Sequence, residues 1–116
     1  MADDRGATHD RRRCDQGLAR AFGLLGKRWN GVILGTLMEG PAGYAELRRS
    51  VGGIHDSMLS DRLAELTEVK LVERIVDDGP PLAVTYRLAP SGRALIPALR
   101  ELADWAALHT DDDAPA

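Results

Sequence analysis

Two short helical patterns joined by Val51-Gly52-Gly53-Ile54, with a change of hydrophobic period directly after them, constrain this chain more than any other feature. The first pattern, roughly Tyr44 to Ser50, offers Tyr44, Leu47 and Val51 as apolar contacts. The second runs from about Asp56 to Val69 and places Leu59, Leu63 and Leu66 on one stripe, the spacing of a helix packed on one side. By the ~100° step of an α-helix, Ser57, Ser60, Asp61, Ala64 and Glu68 fall on the opposite face. The period then drops to two. Leu71-Val72-Glu73-Arg74-Ile75-Val76 and Ala83-Val84-Thr85-Tyr86-Arg87-Leu88 are rich in β-branched residues, and the Asp77-Asp78-Gly79-Pro80-Pro81-Leu82 stretch between them has turn composition. Two short helices around a glycine-containing turn, followed by a hairpin, form the pattern of a helix-turn-helix with a wing.

The flanks supply further helices. Leu18, Ala21, Phe22 and Leu25 follow i, i+3, i+4, i+7 spacing, and Gly26 is placed to end that helix. From Trp29 to Met38 apolar residues occupy nearly every face, which predicts the buried centre of the domain, with Asn30 as its cap and Glu39-Gly40-Pro41 as its stop. Pro90 suits the first turn of a last helix, about Ser91 to Leu108. That helix carries one stripe of Leu95, Leu99, Leu102 and Ala106 and a second of Ala94, Ala98, Trp105 and Leu108. One stripe can face its own domain and the other a partner; the alternative is a single broad packing face. The expected fold is mainly α with a small β-hairpin, a winged helix-turn-helix that dimerises through its terminal helices. Leu18, Phe22, Trp105 and Leu108 are the candidate dimer contacts. Residues 1–13 read as a flexible arm, 14–108 as the domain and 109–116 as an acidic disordered tail.

Composition excludes several other classes. At 116 residues one domain is expected. No apolar run approaches the roughly 20 residues that span a bilayer, and the N-terminal arginines lack the apolar stretch of a secretory signal. A single cysteine forms no intramolecular disulfide, which fits a reducing cytoplasm. His9, His55 and His109 are far apart and lack metal-ligand spacing, and no phosphate loop or nucleophile elbow is present. The reading is therefore a cytoplasmic protein that is not an enzyme, with no cofactor, no metal and no membrane partner.

Double-stranded DNA is the expected partner, together with a second copy of the chain and, as a further option, a small-molecule effector held near Phe22, Trp29 and Trp105. The formal charge is -3, but Asp111, Asp112 and Asp113 lie in the tail and leave 15 acidic against 15 basic residues elsewhere. A neutral body binds phosphates only where its cations share a face. The candidate reading face is Ser57, Ser60 and Asp61 with Arg62 on its flank, residues whose donors and acceptors suit base edges. Arg28, Arg48, Arg49, Arg74 and Arg87, with Lys27, are candidate backbone contacts; each reads equally well as solubilising surface. Cys14 follows three arginines and precedes a helical pattern, surroundings that favour a reactive thiolate, whereas Asp15 opposes it and an inert interfacial cysteine is the alternative. A winged-helix protein-interaction module without a DNA target is the competing function.

The ordered set of Cys14, LLGKRWNGVIL at 24–34, Gly40-Pro41, Tyr44-Ala45-Glu46-Leu47-Arg48-Arg49, GIHDSMLSDRLAEL at 53–66, Leu71-Val72-Glu73-Arg74 and Tyr86-Arg87-Leu88-Ala89-Pro90-Ser91-Gly92-Arg93 resembles the HxlR-type regulators, a winged-helix group related to the MarR regulators. The resemblance spans roughly residues 14–108. It implies a dimeric bacterial transcription regulator on inverted repeats, with the second helix of the motif in the major groove, the wing on the flanking backbone and, in some members, a redox-sensing cysteine at the position of Cys14. The chain departs from the family pattern at Gly43, Ser57 and Ala83, where basic residues are common, and at Ala89, where a capping Thr is common.

Overall fold

In the computed structural model, which describes residues 16–111, the five expected helices are present. α1 covers residues 16–25 and closes with the Gly26 amide on the Phe22 carbonyl at 2.7 Å. A Cβ at Gly26 would stand 2.4 Å from that carbonyl oxygen, so only glycine fits the turn. α2 is Asn30–Leu37, α3 Tyr44–Val51, α4 Asp56–Glu68 and α5 Pro90–His109. The N-terminal arm, Cys14 and the end of the acidic tail lie outside the described residues.

Two features of this architecture were not expected. The hairpin of β2 (Val72–Asp77) and β3 (Ala83–Leu88) carries a third strand, β1 (Ala42–Gly43), giving the antiparallel order β1-β3-β2. Ala42 pairs with Tyr86 and Gly43 with Thr85, while β2 and β3 run in register from Val72–Leu88 to Asp77–Ala83. β1 sets the entry to α3 on the base of the wing, so backbone pairing joins the helix-turn-helix to the wing. In addition, Asn30 is not the cap of α2. That position belongs to Trp29, in the left-handed region at φ 84° and without a side-chain cap. Asn30 is the first helical residue and is fully buried.

The core lies where α2, α3, α4 and the sheet meet. Ile33, Leu34 and Leu37 of α2, Leu47 of α3, Leu59, Leu63 and Leu66 of α4, and Val72 and Leu88 of the sheet are all buried. The expected inward stripe of α4 is thus fully covered. α2 is buried on one side only, since Val32 is exposed.

α4 ends in a two-bond cap: the Leu71 amide donates to the Leu66 carbonyl and the Lys70 amide to Thr67, both at 3.0 Å. This is the Schellman arrangement, whose left-handed position usually holds glycine; here Lys70 takes it at φ 67°. Leu71, expected to open the strand, belongs to this turn. α5 starts on the same turn. The Ala89 amide donates to the Leu71 carbonyl at 2.9 Å and the Ser91 hydroxyl to the Lys70 carbonyl at 2.5 Å. Gly92 lies so close that an added Cβ would be 2.2 Å from the Leu71 oxygen. Beyond that first turn α5 is largely uncovered, and it accommodates Pro97 in its interior.

Candidate nucleic-acid interface

The outward face of α4 is built as the periodicity requires. Ser57, Ser60, Asp61, Ala64 and Glu68 are all exposed. The helix starts after His55, whose carbonyl accepts the Leu59 amide at 2.9 Å. Asp56 occupies the first turn, where a carboxylate complements the positive end of the helix dipole, and it also meets the Arg48 guanidinium at 3.1 Å. Tyr44, at the start of α3, reaches across to the same turn. Its hydroxyl donates to the Asp56 carbonyl at 2.8 Å and lies 3.3 Å from the Ser60 Oγ. The sequence marked Tyr44 only as an apolar contact.

A groove of about 490 Å³ joins α4 to the wing, with Tyr44, Ser60, Ala64, Glu68, Arg74 and Tyr86 along it. It brings Ser60 of the expected reading face and Arg74 of the expected backbone contacts to one surface. A second, smaller groove of about 350 Å³ holds Arg48 and Arg49 beside Gly52.

Most of the candidate cations have intramolecular partners. Arg28 stacks over the Trp29 ring at 4.7 Å, Arg48 meets Asp56, and Arg87 pairs with Glu73 at 2.8 Å across the hairpin. Among the described residues, Arg49 and Arg74 form no ion pair. At the wing tip, Asp77 accepts the Gly79 amide at 3.1 Å, so one of the two acidic residues there shapes the turn.

Arg62 is drawn away from the outward face. Its guanidinium contacts Met58 Sδ at 3.3 Å and Glu65 at 3.4 Å, and its side chain is 21% exposed. Glu65 is the hub of this cluster. It accepts Lys27 at 2.6 Å and the Asn30 side-chain amide at 3.4 Å, while the same amide donates to the Leu24 carbonyl at 2.7 Å. The cluster therefore ties the α1–α2 junction to the back of α4. The Lys27 hydrogen bond holds the Glu65 carboxyl below its ordinary range; burial opposes this, and Asn30 and Arg62 reinforce it. Glu65 was not singled out in the sequence, although its i, i+3 spacing from Arg62 is a signal for such a pair.

Leu18, Phe22, Trp105 and Leu108 are 58%, 50%, 57% and 81% exposed, and Leu102 is open beside them. A cavity of about 310 Å³ opens between α1 and α5. It is lined by Ala21, Leu24, Leu25, Leu71, Ser91, Ala94 and Leu95, rather than by Phe22, Trp29 and Trp105 as expected for an effector site. Among the described residues, no group of three or more His, Cys, Asp and Glu is arranged to hold a metal ion, and no helix is long and apolar enough to cross a membrane.

Known proteins share this architecture. The HxlR-like helix-turn-helix family matches residues 24–114. The HTH-type transcriptional regulator YodB of Bacillus subtilis (strain 168) is 43% identical over 86 residues, covering 74% of this chain and 77% of YodB. The structure of its reduced form superposes with a TM-score of 0.75 at 38% identity, over 84% of this chain and 96% of that one. The redox regulator HypR in its oxidized form gives 0.76 at 27% identity, over 82% and 98%. A MarR-family transcriptional regulator from Enterococcus faecalis V583 gives 0.75 at 31% identity, over 81% and 86%.

Proposed function

The chain belongs to the HxlR-like helix-turn-helix family and is a bacterial DNA-binding transcriptional regulator, and on that premise we propose how it engages DNA. It acts in the cytoplasm as a homodimer on an inverted repeat. α4 enters the major groove with Ser57, Ser60 and Asp61 toward base edges, and the wing formed by β2 and β3 lies on the flanking backbone. The observation that carries this reading is the groove that Ser60 and Arg74 share, because it sets a base-reading position and a phosphate-binding cation on one surface. Arg49 and Arg74 supply the backbone contacts with the least internal competition, and Arg48 and Arg87 can join once DNA competes for their carboxylates. Arg62 supports the posture of α4 through Glu65 more than it reads bases. The family match favours DNA over the protein-interaction module.

Selection of bound duplexes from a random pool at fixed salt tests this. Inverted half-sites about one helical turn apart are expected; a folded dimer with no preference among sequences would refute the reading.

Oxidant response is part of the proposal. YodB and HypR both have structures bearing on redox state, one of diamide-treated YodB and others of HypR oxidised and reduced. Cys14, the one cysteine of this chain, is proposed as the sensing thiol, forming a Cys14–Cys14 bridge between subunits or an adduct with a small thiol. Diamide is expected to change DNA affinity in the wild type and not in Cys14→Ser. An equal response in both removes Cys14 from the mechanism. A small apolar effector fits the cavity between α1 and α5 as a second input to the dimer.

A further inference from the structure

The hydroxyl of Tyr44 has one proton, and its place is fixed. A carbonyl oxygen only accepts, so the 2.8 Å contact with the Asp56 carbonyl takes that proton. At the 3.3 Å contact with Ser60, the Tyr44 oxygen is then left as acceptor, so a hydrogen bond there has the Ser60 hydroxyl as its donor. Ser60 is exposed on the outward face of α4 and lines the groove toward the wing. With its proton directed back at Tyr44, it presents only lone pairs to anything in front of it.

We propose that Tyr44 makes Ser60 an acceptor-only reader, so that one position of each DNA half-site is selected for a base with a major-groove amino group, adenine N6 or cytosine N4. This rests on the reading of α4 as the recognition helix. A free serine hydroxyl rotates to suit either a donor or an acceptor and discriminates poorly. Tied to Tyr44, it rejects guanine and thymine at that position, whose facing atoms are acceptors. Asp61, the next residue, is also acceptor-only when ionised. The centre of the reading face therefore favours amino groups at neighbouring positions, which accounts for a face that lacks lysine and arginine. Tyr44 touches no base and is a positioning residue.

The test is selection from a random duplex pool at constant salt with the full chain, as wild type, Tyr44→Phe and Ser60→Ala. Wild type is expected to prefer adenine or cytosine over guanine and thymine at one position per half-site, by roughly three- to tenfold, the scale of one neutral hydrogen bond. Tyr44→Phe should let guanine and thymine rise to near parity at that position and leave the others unchanged, while Ser60→Ala flattens the same position. A parallel measurement does not depend on the folding of either variant. Wild type should lose the same factor on a duplex whose critical base is replaced by an analogue without the exocyclic amino group. If Tyr44→Phe folds and keeps the wild-type preference, or if the position that answers to Ser60→Ala favours guanine or thymine, the inference fails while the DNA-binding function stands. If wild type shows no sequence preference anywhere, the function itself fails.

Discussion

The middle and the ends of this chain treat their apolar residues in opposite ways. In the middle, Leu47, Leu59, Leu63 and Leu66 are covered to within 1% of their surface by their own chain. At the ends, Phe22, Trp105 and Leu108 hold at least half of theirs open. Both regions follow the same helical periodicity, so the difference is not one of amphipathic pattern. It is one of supply. The sheet and three helices enclose the middle, whereas among the described residues α1 and the long outer part of α5 have no further element to pack on. Single apolar residues at a surface are ordinary, but a set on two terminal helices supports the proposed dimer interface. Stability in the middle should therefore be a property of one chain, and stability at the ends a property of two.

Four measurements would break or sharpen that contrast. The largest effect is expected in the middle: Leu63→Ala leaves a cavity in the closed core and should cost about 2–5 kcal/mol, read from urea denaturation. That loss should be the same at every protein concentration once the dimer is dissociated; a cost near zero would mean the core is not where it is drawn. At the ends, Trp105→Ala should weaken association by about 2 kcal/mol or more, if Trp105 anchors the interface. Sedimentation would then show monomer at concentrations where wild type is dimeric, with helical content retained; an unchanged dimer would assign the open face another use.

The third measurement concerns the junction between the two regions. Glu65 is held below the ordinary carboxyl value of 4.5, so in the folded state it binds fewer protons than in the unfolded state around that pH. Its contribution is present above 4.5 and is lost as pH falls through the lowered value. Glu65→Gln should flatten this acid-side fall in thermal stability; an identical pH profile would show that the Lys27 contact contributes nothing. The smallest effect is at the α4 cap. Lys70→Gly removes the cost of a left-handed side chain, offset in part by the entropy of glycine, for a net gain of roughly 0.5 kcal/mol. A lower melting temperature would show that the lysine stem packs usefully in the turn.

How much was legible in the sequence follows the same division between local pattern and long-range contact. The stripe of Leu59, Leu63 and Leu66 and the β-branched segments of the hairpin repeat over several residues, and repetition is what periodicity detects. β1 is two residues, Ala42 and Gly43, and its strand character comes wholly from pairing with Tyr86 and Thr85. Asn30 looked like a cap because its type favours caps; its actual partners are Leu24 and, 35 positions on, Glu65. Tyr44 was visible as an apolar ring, and only the approach of α4 gives its hydroxyl a task. The outward face of α4 was read correctly as a set of exposed residues. Arg62, expected on the flank of that face, turns to Met58 and Glu65, because a side chain as long as arginine chooses between neighbours that the helical wheel does not contain.

Gly92 has a mechanical consequence. Three contacts bind the first turn of α5 to Lys70 and Leu71, the residues that finish α4, and the missing Cβ at Gly92 lets the backbones touch there. From that point α5 extends to His109, a rod of about 30 Å at the usual rise per residue. The arrangement is a crank with a fulcrum of one glycine. A second copy of the chain holding the far end would work on a long arm, while the recognition helix is attached to the short one. In the proposed dimer, a displacement at the far end of α5 would reach α4 as a smaller tilt, and the two recognition helices would shift against the duplex by that reduced amount.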